Sequence, residues 1–291
     1  MLAELAAFLT CSVCGKDLRL REHALRCEAG HSFDVARQGY VNLLAGHTPP
    51  GSADTPDMVQ ARAAFLAAGH FQPLADKVAR HAAGLMRRGL VIDAGAGTGY
   101  YLHALLEQIP YAVGIALDIS KFALRRAARA HGRAAAVVWD VWRPLPVKSA
   151  SAALVLDVFA PRNGAEFRRV LRPDGALLVV TPGVDHLTEL VTALGLLSVD
   201  ERKEARLEET LSPSFHLAER EVLRFPMTLT HVEAVALAGM GPSGHHLTQE
   251  ALAQAINKRP EPLTATASFV ISVFRPRASC SCQRTAQGEP T

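Results

Sequence analysis

Short, continuous apolar runs recur along the chain from Leu90 onward, and stretches with apolar residues at helical spacing separate most of them. Such runs are typical of strands that are buried on both faces of a parallel sheet. The predicted strands are residues 90–95, 112–118, 135–140, 152–160, 175–182, 221–230 and 263–275. The last two alternate apolar and polar residues more regularly, as edge or antiparallel strands do. The pattern therefore predicts a seven-stranded, doubly wound α/β domain of the Rossmann-like type.

Upstream of this domain, the pattern changes twice. Residues 45–58 are rich in Pro, Gly and small polar residues, which indicates a linker or a mobile loop. Helical spacing then predicts two helices, 57–68 and 74–88, with Thr55 as the capping residue of the first. We expect an N-terminal unit at 1–44, a linker with helices at 45–89, the main domain at 90–277 and a polar, disordered tail at 278–291.

Composition narrows the classes of protein. With 291 residues, 49% of them hydrophobic, the chain can bury one full-sized core and a small extra unit. A net charge of +3 permits a polyanionic partner without requiring one. No apolar run reaches the length of a membrane span, and the apolar N-terminus lacks the basic residues of a signal peptide. A cytoplasmic protein with no membrane partner is expected.

The N-terminal unit contains three of the five cysteines. Cys11, Cys14, Cys27 and His31 have the spacing C-x2-C-x12-C-x3-H. These four side chains complete a tetrahedral set for zinc, so a bound metal would be structural. The intervening residues read as a hairpin with no recognition helix, which favours a zinc ribbon. The alternative is a set of free core thiols, and a ribbon can bind nucleic acid, bind protein or only brace a domain.

A glycine-rich loop follows the first predicted strand of the main domain. VIDAGAGTGYY, residues 91–101, places Gly95, Gly97 and Gly99 before a helix, with Asp93 at the end of the strand. A dinucleotide-binding fingerprint would need Gly or Ala where Tyr100 stands. An acidic residue at Asp93 fits a ligand with a positive end, such as S-adenosylmethionine, and would repel a pyrophosphate.

Two further carboxylates agree with this cofactor. Asp118 ends the second predicted strand, where a carboxylate can hold ribose hydroxyls. Asp140 ends the third, where it can accept the adenine amino group, with Val141 and Trp142 as apolar cover. The alternative for both residues is a helix-capping role.

The chain resembles the RlmA family of bacterial 23S rRNA (guanine-N(1))-methyltransferases over nearly its whole length. The resemblance rests on the four metal-ligand positions and on FDVARQGYVNLL, DMVQARAAFLAAGHFQPL, VIDAGAGTGYY, VFAPRN, LRPDG and TPGVDHLTEL. It is closest to the branch of macrolide producers, which protects ribosomes against mycinosylated macrolides such as tylosin and mycinamicin. It implies a guanine in a hairpin of rRNA domain II as the target, with RNA rather than DNA as the partner, and a homodimer.

The resemblance also implies cofactor contacts at Phe71, Tyr101, Leu102 and His186. Phe71 replaces a tyrosine that is expected in some relatives, which preserves ring packing on the cofactor but not a hydroxyl contact.

Methylation at guanine N(1) requires an extruded base and a proton acceptor. Asp157 is the candidate acceptor and Phe159 the candidate stacking ring, although the first could only cap a turn and the second could be core. For RNA contact the hairpin arginines Arg19, Arg21 and Arg26 are preferred. The second candidate is the basic stretch 121–133, which could equally be a solvated helix face.

Other classes of protein remain possible from the residues alone. A small-molecule methyltransferase would share every cofactor residue but has no evident need for a ribbon. A non-enzymatic, zinc-bearing RNA-binding protein would need a vestigial glycine loop, yet all parts of the loop are present. Tyr100 and Asp93 disfavour an NAD-dependent dehydrogenase.

Overall fold

The computed structural model describes residues 1–44, 54–194, 202–240 and 249–278. Most of the predicted linker and all but the first residue of the predicted disordered tail lie outside these ranges. Within them, no helix is long and apolar enough to cross a membrane.

Two sheets carry the fold. The strands are β1 Arg19–Arg21, β2 Ala24–Arg26, β3 Ser32–Asp34, β4 Tyr40–Asn42, β5 Arg88–Ala94, β6 Tyr111–Asp118, β7 Ala134–Val138, β8 Ala152–Val158, β9 Leu171–Pro182, β10 Phe215–Leu229 and β11 Leu263–Pro276. The helices are α1 Leu2–Leu5, α2 Pro56–Ala67, α3 Gln72–Leu85, α4 Tyr100–Gln108, α5 Lys121–Ala130, α6 Gly164–Val170, α7 Thr188–Leu194, α8 Lys203–Leu211, α9 His231–Gly239 and α10 Gln249–Ile256.

The large sheet has the order β10-β11-β9-β8-β5-β6-β7-β4. Strands β4 to β9 of this sheet pair in parallel, whereas β11 runs antiparallel to both β9 and β10. All seven predicted strands are present, which confirms the doubly wound α/β fold and the antiparallel character of the last two. The sheet has eight strands rather than seven because β4, from the N-terminal segment, pairs with β7 at the edge.

Local chemistry places the two helices that precede the sheet. The Thr55 hydroxyl accepts a hydrogen bond from the Met58 N–H at 3.2 Å, and Pro56 occupies the first helical position of α2. The buried face of α3 includes Leu74 and Val78, both without exposed area. These helices cover one face of the large sheet together with α4 and α9, and their apolar residues join the sheet in a single core.

The N-terminal ribbon packs on the other face. Its three strands form a small antiparallel sheet in the order β1-β2-β3, with Glu22 in the left-handed region (φ 55°) at the hairpin turn. Leu18 and Leu25 belong to the same buried cluster as Ile92 of β5 and Val137 of β7. The ribbon is therefore continuous with the core of the large sheet.

Candidate functional site

The four predicted metal ligands converge. Distances are 3.6 Å from Cys11 Sγ to His31 Nδ1, 3.7 Å from Cys14 Sγ to Cys27 Sγ, and 3.4 Å from Cys27 Sγ to His31 Nδ1. A tetrahedral zinc with bonds of about 2.3 Å would hold two sulfurs about 3.8 Å apart, so this donor set fits zinc. Within the described ranges no other cluster of three or more histidine, cysteine or acidic side chains could hold a metal ion.

Tight turns create this convergence. The Gly15 N–H donates to the Cys11 carbonyl at 2.8 Å, and the Gly30 N–H donates to the Cys27 carbonyl at 3.1 Å. Both glycines have positive φ, 73° and 87°. Burial opposes ionisation of Cys27, but hydrogen bonds from the His31 backbone and side chain lower the pKa of this thiol to about 6. The thiolate form, which binds zinc, is thus accessible near neutral pH.

The glycine loop joins β5 to α4, and its three glycines differ in what lies next to them. All have positive φ, at 79° for Gly95, 54° for Gly97 and 79° for Gly99. A β-carbon at Gly95 would lie 2.4 Å from the Ala160 β-carbon, and one at Gly99 would lie 3.1 Å from the Ala127 α-carbon. These two glycines permit close packing within the chain.

Gly97 is different because a β-carbon there would meet only the flexible Arg62 side chain, at ordinary van der Waals distance. The nearest atom to a β-carbon built there is Arg62 Nη1, at 3.7 Å. The backbone at Gly97 can therefore be approached by a ligand, which is the property that the sequence motif required.

Two of the predicted carboxylates lie beside this opening. The side chain of Asp118 accepts hydrogen bonds from the Gly97 N–H at 2.8 Å and the Ser120 N–H at 2.7 Å. Asp93 is only 2% exposed, and burial together with the charge of Asp118 raises its pKa to about 8. Burial also raises the pKa of Asp118, although the two backbone hydrogen bonds oppose this effect. Buried negative charge of this kind favours a positively charged ligand, so the loop fits the sulfonium and ammonium groups of S-adenosylmethionine.

Strand β7 ends two residues earlier than predicted, so Asp140 lies beyond the strand and not at its end. Strand β7 ends at Val138, and Asp140 follows in a turn where its carboxylate accepts the Trp142 N–H at 3.0 Å. Val141 is buried, whereas 65% of Trp142 is exposed. The turn-capping role is therefore present, and adenine recognition by Asp140 stays a prediction.

The residues implied by the family resemblance fall into two groups. Phe71 and His186 lie together, with ring centroids 6.3 Å apart, and both pack on Phe269, at 5.1 and 4.8 Å. The ring nitrogen Nδ1 of His186 accepts the Ser268 N–H at 3.2 Å. Phe71 is 2% exposed, so its ring belongs to this buried aromatic cluster.

The other group lies at the start of α4. The Tyr101 side chain faces the site, and burial raises the pKa of its phenol. Leu102 has no exposed area and packs against Gly114, where a β-carbon would lie 2.9 Å from its side chain. The Leu102 side chain is therefore part of the core, and a cofactor contact by Leu102 stays a prediction.

Of the two candidate catalytic residues, Asp157 lies near the end of β8 and Phe159 directly follows the strand. Asp157 has no exposed area, neither carboxylate oxygen has a hydrogen-bond partner, and its Oδ1 lies 3.4 Å from Arg162 Nε. Burial raises the pKa of Asp157 well above its ordinary value, although Arg162 opposes this shift. Phe159 has a left-handed backbone (φ 57°), and 43% of it is exposed. Such strain in a non-glycine residue is concentrated at functional sites, and the exposed ring is not part of the core.

Sequence reasoning missed Arg62, whose guanidinium faces the glycine loop. This residue lies on α2, forms an ion pair with Asp54, and donates from Nη2 to the Met240 carbonyl at 2.9 Å. The available signal was a single arginine within the otherwise apolar stretch ARAAFLAA.

Comparison with known proteins agrees with this geometry. Residues 91–175 match the model of a family described as "Methyltransferase domain", and residues 9–48 match the zinc-ribbon model described as "RlmA, N-terminal". The chain is therefore a zinc-ribbon-bearing methyltransferase by class.

Three curated relatives identify the family. The chain is 50% identical over 272 residues to the 23S rRNA (guanine(748)-N(1))-methyltransferase of Streptomyces fradiae, covering 92% of this chain and 97% of that protein. It is 49% identical over 292 residues, 94% of this chain and 99% of the relative, to a Micromonospora griseorubida protein with the provisional name 23S rRNA (guanine-N(1)-)-methyltransferase. A Bacillus subtilis protein with the same provisional name is 35% identical over 171 residues, 56% of this chain and 59% of the relative. The chain belongs to the RlmA family of 23S rRNA (guanine-N(1))-methyltransferases.

Loss of the metal should destabilise the whole protein, because the ribbon shares its core with the large sheet. We expect Cys14→Ala to lower the melting temperature by roughly 5 °C or more, since each kcal/mol lost shifts it by about 2–4 °C in domains of 150–250 residues. Calorimetry measures this shift, and elemental analysis should find one zinc per wild-type chain. Cys282→Ala is the matched control and should change neither. A separate early transition that leaves the main transition in place would contradict a shared core.

Gly95 and Gly97 should respond differently to the same substitution. Gly95→Val should prevent folding, because the new side chain would collide with Ala160 in addition to straining the backbone. Gly97→Val should fold, at a cost of about 1–2 kcal/mol for the left-handed backbone, but should abolish binding of S-adenosylmethionine. Thermal melts and titration calorimetry separate the two effects. Undiminished affinity in Gly97→Val would show that the ligand does not approach this face.

Affinity for S-adenosylmethionine should depend on pH through Asp93. A cationic ligand favours ionised Asp93, so binding lowers its pKa and releases a proton below pH 8, the approximate pKa of the free site. Affinity should therefore rise with pH, by up to about tenfold per unit, and level off above about pH 8. Calorimetry from pH 6 to 9 measures this. In Asp93→Asn, any pH dependence that comes from titration of the ligand itself should remain, but the part that comes from Asp93 should be lost. Equal pH profiles of affinity for the two proteins would refute the role of Asp93 in binding the donor.

Proposed function

We propose that this protein transfers a methyl group from S-adenosylmethionine to N(1) of a guanine in 23S rRNA. The observation that carries the proposal is the contact between the glycine loop and the loop after β8, where Gly95 meets Ala160. Through this contact, the loop that follows the carboxylate-bearing strand β5 lies against the loop that carries the exposed Phe159, which supports the proposal. Family membership supplies the substrate class.

The donor side is built from residues at the carboxyl ends of β5, β6 and β7. Asp118 accepts from ribose hydroxyls, Asp140 accepts from the adenine amino group, and Asp93 with the Gly97 backbone lies along the amino-acid part. Phe71, His186 and the start of α4 close this side. When bound, S-adenosylmethionine supplies an electrophilic methyl group.

The acceptor side must hold a base that has left its stack. Phe159 is proposed to stack on the guanine, since its ring is exposed beside Tyr101, at 6.3 Å between centroids. The N(1)–carbon bond would form as the sulfur–methyl bond of the donor breaks, leaving S-adenosylhomocysteine, and the N(1) proton passes to an acceptor. Asp157 is proposed for this role because its raised pKa makes it a stronger base than an ordinary carboxylate. The buried carboxylate would be reached by movement of Arg162 when the base enters.

The ribbon is proposed to bind the RNA backbone. In its hairpin, Leu20 lies opposite Leu25 on the core side and Arg19 opposite Arg26 on the outer side, although Ala24, opposite Arg21, is buried. Like charges directly opposite each other are unfavourable unless an anion lies between them. Both arginines, with Arg21 and Cys27, line an open cavity of about 280 Å³, and its other two lining residues are the acidic Asp17 and Glu28. A phosphate on the arginine side of this cavity would relieve the repulsion between Arg19 and Arg26.

The basic helix α5 offers a second surface for RNA. Lys121, Arg125 and Arg129 are exposed there. Arg133 is not available, since its guanidinium donates to four backbone carbonyl oxygens, those of Leu106, Ile109, Pro110 and Ala112. The ribbon is therefore the preferred platform, and α5 extends it.

The finer identity of the substrate follows from the relatives. The proposed target is a guanine in a hairpin of domain II, at the position equivalent to 748, because a 50% identical relative carries that number in its name. Methylation there is proposed to protect ribosomes against mycinosylated macrolides, which places the protein in the cytoplasm with ribosomes. A homodimer is proposed on the family resemblance, and light scattering after gel filtration tests it.

Methylation of N(1) removes the pairing edge of guanine, so reverse transcription of treated rRNA should stop at one loop position. Phe159→Ala should remove at least 90% of this product, because the extruded base loses its stacking ring, while affinity for S-adenosylmethionine stays within about threefold. The control is Tyr111→Ala, an even more exposed aromatic (80% against 43% for Phe159) at the amino end of β6, which should retain activity. A free small molecule methylated in place of rRNA would overturn the proposal, whereas a stop at a neighbouring guanine would correct only the position.

RNA affinity should fall steeply with salt if the hairpin arginines contact phosphates. The logarithmic slope should be about −0.7 to −0.9 per phosphate neutralised. Replacing Arg19 and Arg26 with alanine should make the slope shallower by about one unit per lost contact and leave cofactor binding unchanged. Arg88→Ala, at the amino end of β5, is the matched control. Filter binding at several salt concentrations measures the slopes, and equal slopes would exclude the ribbon from the interface.

Macrolide resistance can be tested separately from methylation activity by expressing the protein in cells. Expression in a macrolide-sensitive bacterium should raise the inhibitory concentration of tylosin, and a variant without methylation activity should not. If the rRNA is methylated but the cells remain sensitive to tylosin, the resistance role would be refuted and the methylation activity would stand.

A further inference from the structure

Arg62 places a positive charge beside the glycine loop, which the carboxylates of Asp93 and Asp118 flank. Its Nη1 and Cδ are the atoms nearest to a β-carbon built on Gly97, at 3.7 and 3.9 Å. Its charge lowers the pKa of both Asp118 and Tyr101, against the larger, raising effect of burial, which places it within electrostatic range of the two residues that flank the loop. No family motif and no relative's name assigns it a role.

The charges of the donor explain why one cation would be needed here. S-adenosylmethionine carries a sulfonium, an ammonium and one carboxylate. Asp93 lies along the amino-acid part and suits its positive groups, but the negative field of Asp93 and Asp118 would repel the carboxylate. A guanidinium beside the loop offsets that repulsion and can hold a carboxylate in a bidentate pair.

The guanidinium is already oriented towards a carboxylate. Its ion-pair partner is Asp54, whose backbone carbonyl accepts the Ser120 hydroxyl at 3.1 Å. Ser120 in turn donates its N–H to Asp118, so Arg62 is connected to the donor side of the site through described contacts. The contacts to Asp54 and Met240 use two of the five N–H donors of the guanidinium, and 27% of the side chain is exposed. Donors remain for a ligand.

We propose that Arg62 binds the amino-acid carboxylate of S-adenosylmethionine and so fixes the position of the donor over Gly97. This inference rests on the proposed function only in its choice of cofactor. The competing explanation is a purely structural one, in which Arg62 only ties α2 to Asp54 and to the end of α9.

Ligand truncation separates these explanations by calorimetry. S-adenosylhomocysteine contains the carboxylate, its decarboxylated analogue lacks only that group, and 5′-methylthioadenosine lacks the whole amino-acid part. Arg62→Gln should weaken S-adenosylhomocysteine binding by roughly 10- to 100-fold, as expected for a charged hydrogen bond. It should change the affinity of the other two ligands by less than about twofold. Arg62→Lys should recover part of the loss, and Arg80→Gln on the exposed face of α3 is the matched control and should lose nothing.

Every outcome either supports or overturns the proposed role of Arg62. Equal losses for all three ligands would establish the structural role and overturn the proposal, as would no loss for any of them. If Arg62→Gln does not fold, the wild-type protein still gives a result, because the decarboxylated analogue should bind roughly 10- to 100-fold more weakly than S-adenosylhomocysteine; equal binding would overturn the proposal. Wild-type protein that binds none of the three would overturn the cofactor assignment itself, an outcome distinct from a failure of Arg62 alone.

Discussion

The glycine loop and the loop after β8 approach each other so closely that neither chain segment could carry an extra carbon at the contact. Gly95 lacks a β-carbon where one would lie 2.4 Å from Ala160. The approach is possible because β5 and β8 are adjacent, parallel strands whose carboxyl ends meet at one edge of the sheet. The proposed donor-binding residues Asp93 and Gly97 lie at and after the end of β5, and the proposed base-contacting residues Asp157 and Phe159 lie at and after the end of β8. Chemistry between two bound molecules requires that proximity, so the remainder of the site is arranged around one backbone contact.

Charge is distributed unevenly around that contact. Asp93 and Asp157 are almost completely buried, and the pKa of each is raised because ionisation in a dry environment is unfavourable. The free protein therefore stores protons in its site. A cationic donor favours the ionised carboxylates, so its binding would release these protons, and only ionised Asp157 could then accept the proton of the base. The proposed role of Arg62 adds a positive charge for the carboxylate of the zwitterionic tail.

How much the sequence could predict depends on how many residues carried each signal. The seven strands of the main domain are long, apolar and regularly spaced, so each was predicted near its observed place. Strand β4 has three residues, Tyr40–Asn42, too few to show any period, and only pairing with β7 makes it a strand. The metal ligands and glycine loop were predicted because their spacing has a mechanical meaning. Arg62 belongs to no such pattern, and the burial of Asp157 depends on Arg162 and neighbouring strands, which no local pattern encodes.

The alternation of the ribbon hairpin limits how this protein can change during evolution. Leucines alternate with arginines along β1, and a one-residue insertion would turn every following side chain to the opposite face. The arginines would then enter the core that the ribbon shares with the large sheet. The metal ligands fix the same length independently, because Cys14 and Cys27 must reach one ion from opposite ends of the hairpin. The specificity of the proposed RNA platform can therefore drift by substitution at outward positions, whereas insertions and deletions are confined to the tip around Glu22, where the chain already turns in the left-handed region.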